Sequence, residues 1–174
     1  MDPKDRLPAE WPELEAREIL RRLVATGVDF VVIGGVAVIL HGYPRLTRDV
    51  DVAFAYDEGN LDALGGVLVE LKARLRGAEA HVPFVPDRRT LRGIELLTLE
   101  TSAGWLDIHR LPAGVANYEA LRRRAERMEL DGFFVLVAAP DDLIAMKRAA
   151  GRPVDRTDIA ALEAIKHLRE RESD

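Results

Sequence analysis

The chain has 174 residues, 48% hydrophobic and 32% charged, with 25 Lys and Arg against 30 Asp and Glu and a formal net charge of −5. That length suits one compact domain with a real core, and no apolar run approaches the roughly 20 residues needed to span a bilayer, so a membrane protein is excluded. The acidic balance argues against a broadly basic nucleic-acid-binding surface, and the absence of cysteine excludes disulfides, thiolate metal sites and cysteine nucleophiles.

Met1 to Trp11 is charged and proline-containing, unlike a signal peptide, which predicts a cytoplasmic protein. Trp11 to Thr26 carries Leu14, Ala16, Leu20, Leu23 and Val24 near helical spacing, with Gly27 where a cap would sit. Val28 to Ile33 is a β-branched and aromatic run ending at Gly34-Gly35, and Val36 to His41 follows as a buried helix closed by Gly42. From Asp49 to Phe54, Val50, Val52 and Phe54 alternate with Asp49, Asp51 and Ala53, the pattern of a strand with one apolar and one acidic face. Leu61 to Leu75 reads as a helical stripe. Gly77 to Leu91, with Pro83 and Pro86, lacks a clean period and is read as a strand and a loop.

Gly93 to Leu99 and Trp105 to Leu111 flank Thr101 to Gly104 as an antiparallel hairpin, and Asp131-Gly132 turns a second one between Arg127 to Leu130 and Phe133 to Val137. Pro140 opens a helix through Ala150, Gly151 closes it, and a last helix begins near Asp155. The expected class is α+β, a small mixed sheet flanked by helices. One domain spans 1–174, with 140–174 a helical part packed on the core.

A glycine pair between strand and helix lets backbone N–H groups approach a phosphate, although alone it is more often just a tight turn. Neither a G-x-G-x-x-G spacing nor a P-loop Gly-Lys-Ser/Thr is present. Asp49 and Asp51 lie two apart on a strand, so both side chains leave one face with Cα atoms about 6.5 to 7 Å apart. Two acids on one face repel unless water or a cation intervenes. Asp107 repeats the arrangement, since Leu106 and Ile108 share one face of their strand while Asp107 and His109 share the other. On spacing alone it could equally be an exposed acid on an edge strand.

Gly34-Gly35, Ala37, His41-Gly42, Arg45, Thr47, Asp49 and Asp51 together resemble the signature of the nucleotidyltransferase superfamily, whose fold is that of DNA polymerase beta. The small prokaryotic branch with the AbiEii and MenT toxin-type nucleotidyltransferases is similar, and Asp142, Leu143, Lys147, Ala150, Arg152, Asp155, Asp158 and Leu162 resemble its C-terminal motif. The resemblance implies a nucleotidyltransferase-like sheet. It also implies that Gly34, Gly35, Arg45 and Thr47 bind an NTP, and that Asp49 and Asp51, with Asp107 as third acid, ligate Mg2+ or Mn2+. Lys147 would meet the phosphates, and Asp155 would belong to the site. Many members carry Gly-Ser where this chain has Gly34-Gly35.

The implied reaction is transfer of a nucleoside monophosphate from an NTP to a hydroxyl, with tRNA as acceptor and a cognate antitoxin as partner in the toxin-type branch. Two rivals stand beside it: an antibiotic-type enzyme acting on a small molecule, and a catalytically silent nucleotide-binding module. Arg122, Arg123, Arg124 and Arg127 form the densest basic run and are read as a solvated helix face rather than an RNA clamp. His41, His81 and His167 lack metal spacing. Ser102 has no partners for a nucleophilic role.

Overall fold

The computed structural model describes residues 13–79 and 81–173. Trp11, at the start of the first expected helix, lies outside the described residues. Helix α1 (Ala16–Ala25) buries Ile19, Leu20 and Leu23, and ends where Gly27, at φ +78°, lets Val28 N–H donate back to Leu23 O at 3.1 Å. Strand β1 (Phe30–Ile33) is buried on both faces and therefore shows no alternation. Gly34 and Gly35 are not a turn ahead of the next helix but the first two residues of α2 (Gly34–Leu40).

Strand β2 (Asp49–Phe54) keeps the expected alternation, with Val50 and Val52 fully buried and Asp49 and Asp51 half-buried opposite them. Helix α3 (Glu58–Glu70) starts at the Asp57 cap, which accepts from Asn60 N at 3.0 Å. It stops short of Leu75. Lys72 adopts φ +53°, and β3 (Arg74–Leu75) pairs with the sheet instead, so the leucine spacing at 71 and 75 is coincidental to the helix. Of the stretch read as strand and loop, the described residues form a loop followed by the short helix α4 (Arg88–Arg92), capped by Asp87.

Strands β4 (Leu96–Thr101) and β5 (Gly104–His109) form the first hairpin, and Gly104 at φ +112° sits against Leu14 and the Glu13 carbonyl. Helix α5 (Tyr118–Arg124) precedes the second hairpin, β6 (Glu126–Leu130) and β7 (Phe133–Val137). Positive φ at both Asp131 and Gly132 marks the mirror-image turn that matches strand twist. Helix α6 (Pro140–Ala150) ends at left-handed Gly151, and α7 (Pro153–Ser173) follows.

The sheet has seven strands in the order β3-β4-β5-β2-β1-β7-β6, mixed in direction, so the α+β expectation holds. β2 runs antiparallel to β1 and parallel to β5, with Ile33 opposite Asp51 and Asp51 beside Asp107. A main apolar cluster takes in Phe30, Phe54, Leu64, Leu106 and Ile108, and Leu143, Ile144 and Leu162 of the last two helices join it. Among the described residues no helix is long and apolar enough to cross a membrane.

Candidate active site

The in-register pairing of β2 and β5 decides the geometry. Asp51 and Asp107 stand side by side at the interstrand spacing of about 4.8 Å, and Asp49 is one pleat along. Their side chains remain 29%, 19% and 14% exposed for Asp49, Asp51 and Asp107. Crowding three carboxylates in a half-dry place disfavours their charged forms. Burial first, then the charge of Asp51, pushes the Asp107 carboxyl up to about 6, with Arg76 opposing the rise. Asp49 is raised for the same two reasons, against Arg76 and Arg152.

Two groups beyond the expected set attend these acids. Arg76, in the turn after β3, places Nη2 2.5 Å from Asp107 Oδ1 and Nη1 3.9 Å from Asp49 Oδ2, and its guanidinium lies 4.4 Å from the Trp105 ring centroid. His109, which shares the face of Asp107, brings Nε2 to 3.1 Å from Asp51 Oδ1. Its period-two spacing from Asp107 was the signal for that placement. For Arg76 no periodic pattern exists, because it follows a two-residue edge strand.

The glycine pair abuts the acids directly. At Gly34, φ is +67°, and an added Cβ would stand 2.8 Å from Asp51 Cβ and Cγ. At Gly35 it would lie 2.7 Å from Thr47 Oγ1 and 3.2 Å from Arg45 Nη1. The space a side chain at position 35 would need is therefore taken by the Thr47 hydroxyl, a physical reason for glycine there. Thr47 Oγ1 donates to the Asp49 carbonyl at 3.2 Å.

The last two helices bring a buried ionic network to the same place. Lys147 Nζ donates to Asp158 Oδ2 at 2.8 Å and lies 3.8 Å from Asp155 Oδ1, while Arg45 Nη1 donates to the same Asp158 oxygen at 2.6 Å. Arg152 is clamped on Asp155 through its backbone N–H and its guanidinium at 3.0 to 3.1 Å. Burial works to raise the Asp155 carboxyl, but those bonds outweigh it and hold the group below its ordinary range.

One cleft of about 460 Å³ is lined by Gly34, Gly35, Arg45, Thr47, Asp49, Asp51, Asp107 and Lys147, so eight of the nine expected residues meet there. Asp155 does not line it. At 1% exposure it reaches the cleft only through Lys147 and Arg152. The apolar side chains of Leu96, Pro112, Met146 and Val154 line the same cleft.

The donor set suits a hard divalent cation, since Asp49 and Asp51 offer carboxylate oxygens from one strand face beside a bare backbone. The third carboxylate is drawn toward Arg76. Among the described residues no three His, Asp or Glu side chains form a ready-made cation cluster.

No curated protein matches the chain. Among solved structures, that of the lincosamide antibiotic adenylyltransferase LnuA with lincomycin bound is similar, at TM-score 0.62 and 18% identity over 88% of this chain and 99% of that one. The structure of ANT(2")-Ia in complex with adenylyl-2"-tobramycin aligns at TM-score 0.51 and 16% identity, over 89% of this chain and 92% of that one. At these identities the likeness is one of fold. A family model described as a nucleotidyltransferase of unknown function, DUF6036, matches residues 14–169. With nearly the whole length covered by that match, the chain belongs to this nucleotidyltransferase family.

Proposed function

We propose that the enzyme transfers a nucleoside monophosphate from an NTP to a hydroxyl of a small organic acceptor, releasing pyrophosphate. The observation that carries the reading is one cleft that gathers a bare glycine backbone and three carboxylates together with the apolar Leu96, Pro112, Met146 and Val154. Such a mixed lining, apolar with a few convergent polar groups, suits a small molecule. ATP is the donor to try first, because two solved structures of similar fold are of an adenylyltransferase and of a protein in complex with adenylyl-2"-tobramycin.

Asp49 and Asp51 would hold Mg2+, with Mn2+ as a substitute; when bound, the cation supplies positive charge to the triphosphate oxygens. Asp107 takes the proton from the acceptor hydroxyl, and a carboxyl raised to about 6 still stands ionised and ready to accept at neutral pH. The acceptor oxygen then bonds to the α-phosphorus as the bond to the pyrophosphate oxygen breaks. The N–H groups of Gly34 and Gly35, the Thr47 hydroxyl and Arg45 face the phosphates. Lys147, aimed by Asp158 and Asp155, sets a positive charge beside the leaving group.

A tRNA acceptor and an antitoxin partner draw less support. Two arginines of the basic run that an RNA backbone would follow are engaged within the chain, Arg122 on Asp29 at 2.9 Å and Arg124 on Asp142 at 2.6 Å. The deciding experiment incubates the protein and Mg2+ with each α-labelled NTP, offering total RNA in one arm and hydroxyl-bearing antibiotics in another. Label on a small molecule supports the proposal. Label on RNA alone overturns the acceptor class, and nucleotide-dependent thermal stabilisation without transfer in any arm favours the silent binding module.

A further inference from the structure

The cation pairing with Asp107 is part of the fold rather than a visitor. Arg76 donates from its backbone N–H to Thr98 O at 3.0 Å, and from Nη2 to Leu99 O at 3.3 Å as well as to Asp107. Its guanidinium lies over Trp105, the residue paired with Asp49 across the strands, and its side chain is only 21% exposed. A guanidinium held on an aromatic face, a backbone carbonyl and a carboxylate at once has little freedom to leave. It also spans the acids, reaching Asp107 with one nitrogen and Asp49 with the other.

We propose that Arg76 is a resident second cation: the site binds one divalent metal ion, at Asp49 and Asp51, and Arg76 occupies the place beside Asp107 and Asp49 that a second ion would take. The proposal rests on the reading of Asp49 and Asp51 as metal ligands. Charge and space both argue for it. One divalent ion together with Arg76 neutralises three carboxylates, whereas a second divalent ion would have to approach Asp107 against a guanidinium already in hydrogen-bond contact with it. Arg76 thereby becomes a positioning residue, fixing the direction in which Asp107 presents its other oxygen.

The test counts bound Mn2+ by electron paramagnetic resonance in wild-type protein, in Arg76→Met, which keeps an apolar stem against Trp105, and in Arg76→Lys, which keeps the charge. The expected counts are one, two and one. Two ions on the wild type, or a count unchanged in Arg76→Met with its fold intact by circular dichroism, overturns the proposal while leaving Asp49 and Asp51 as ligands. No ion on the wild type removes the metal reading itself. Should Arg76→Met fail to fold, Arg76→Lys still decides, because a second ion on that charge-retaining variant contradicts the idea.

Discussion

Replacing Gly34 with alanine probes the closest contact in the site. Two costs add. An L-residue held at φ +67° costs about 1–2 kcal/mol in the left-handed region. The new methyl group would also meet Asp51 Cβ and Cγ at 2.8 Å, on a strand hydrogen-bonded on both sides, and overpacking of that kind costs about 1–3 kcal/mol. The sum is about 2–5 kcal/mol. Gly151 supplies the control, because its φ is +64° but the nearest atom to an added Cβ is Arg148 O at 3.9 Å, so Gly151→Ala should cost only the conformational part. Urea unfolding of both variants, with unchanged slopes, gives the difference. Nucleotide transfer should fall at least tenfold in Gly34→Ala, about 1.4 kcal/mol in the barrier, and stay within about twofold in Gly151→Ala. Equal destabilisation of the two would refute the claim that Gly34 is demanded by the proximity of Asp51.

Acidity offers a second test. Folding raises Asp107 from 3.8 to about 6, so the native state binds more protons between those values, and the stability from this group is present below pH about 4 and lost as pH rises through 6. Asp107→Asn should therefore be more stable than wild type at pH 7.5 in the absence of metal by about 1–3 kcal/mol, with the gap closing near pH 4; a variant less stable at pH 7.5 contradicts this. Lys147→Met leaves Asp158 and Asp155, 2% and 1% exposed, with only Arg45 and Arg152 as counter-charges, and should cost about 2–4 kcal/mol by urea unfolding. A loss below about 1 kcal/mol would show the buried network to be dispensable.

Much of the site was legible because strand alternation is a local property. Asp49, Asp51 and Asp107 each stand opposite buried aliphatic neighbours, and that pattern holds in the folded sheet. What period cannot carry is register. That Asp51 pairs with Asp107 rather than with a residue two places away is set by the parallel alignment of β2 and β5, whose partners are far apart in the chain. Arg76 was invisible for a related reason, since its meaning comes from Trp105 and Asp107 across an edge strand of two residues. The leucine stripe overran α3 because residues 71 and 75 keep helical spacing while Lys72 turns left-handed, a break that no side-chain pattern announces. Asp155 and Asp158 fall on one helix face by their three-residue spacing, yet only the crossing of α6 with α7 shows that Lys147 lies between them.

If Asp49, Asp51 and Asp107 serve one nucleotide-transfer site, its most sensitive member is Asp51, which touches Gly34 on one side and neighbours Asp107 on the other. Pyrophosphate release from ATP, with Mg2+ and an accepted alcohol, should fall at least a hundredfold in Asp51→Asn while urea unfolding shows the fold retained, corresponding to about 2.7 kcal/mol or more in the barrier. Release at the wild-type rate by a folded Asp51→Asn protein would contradict it.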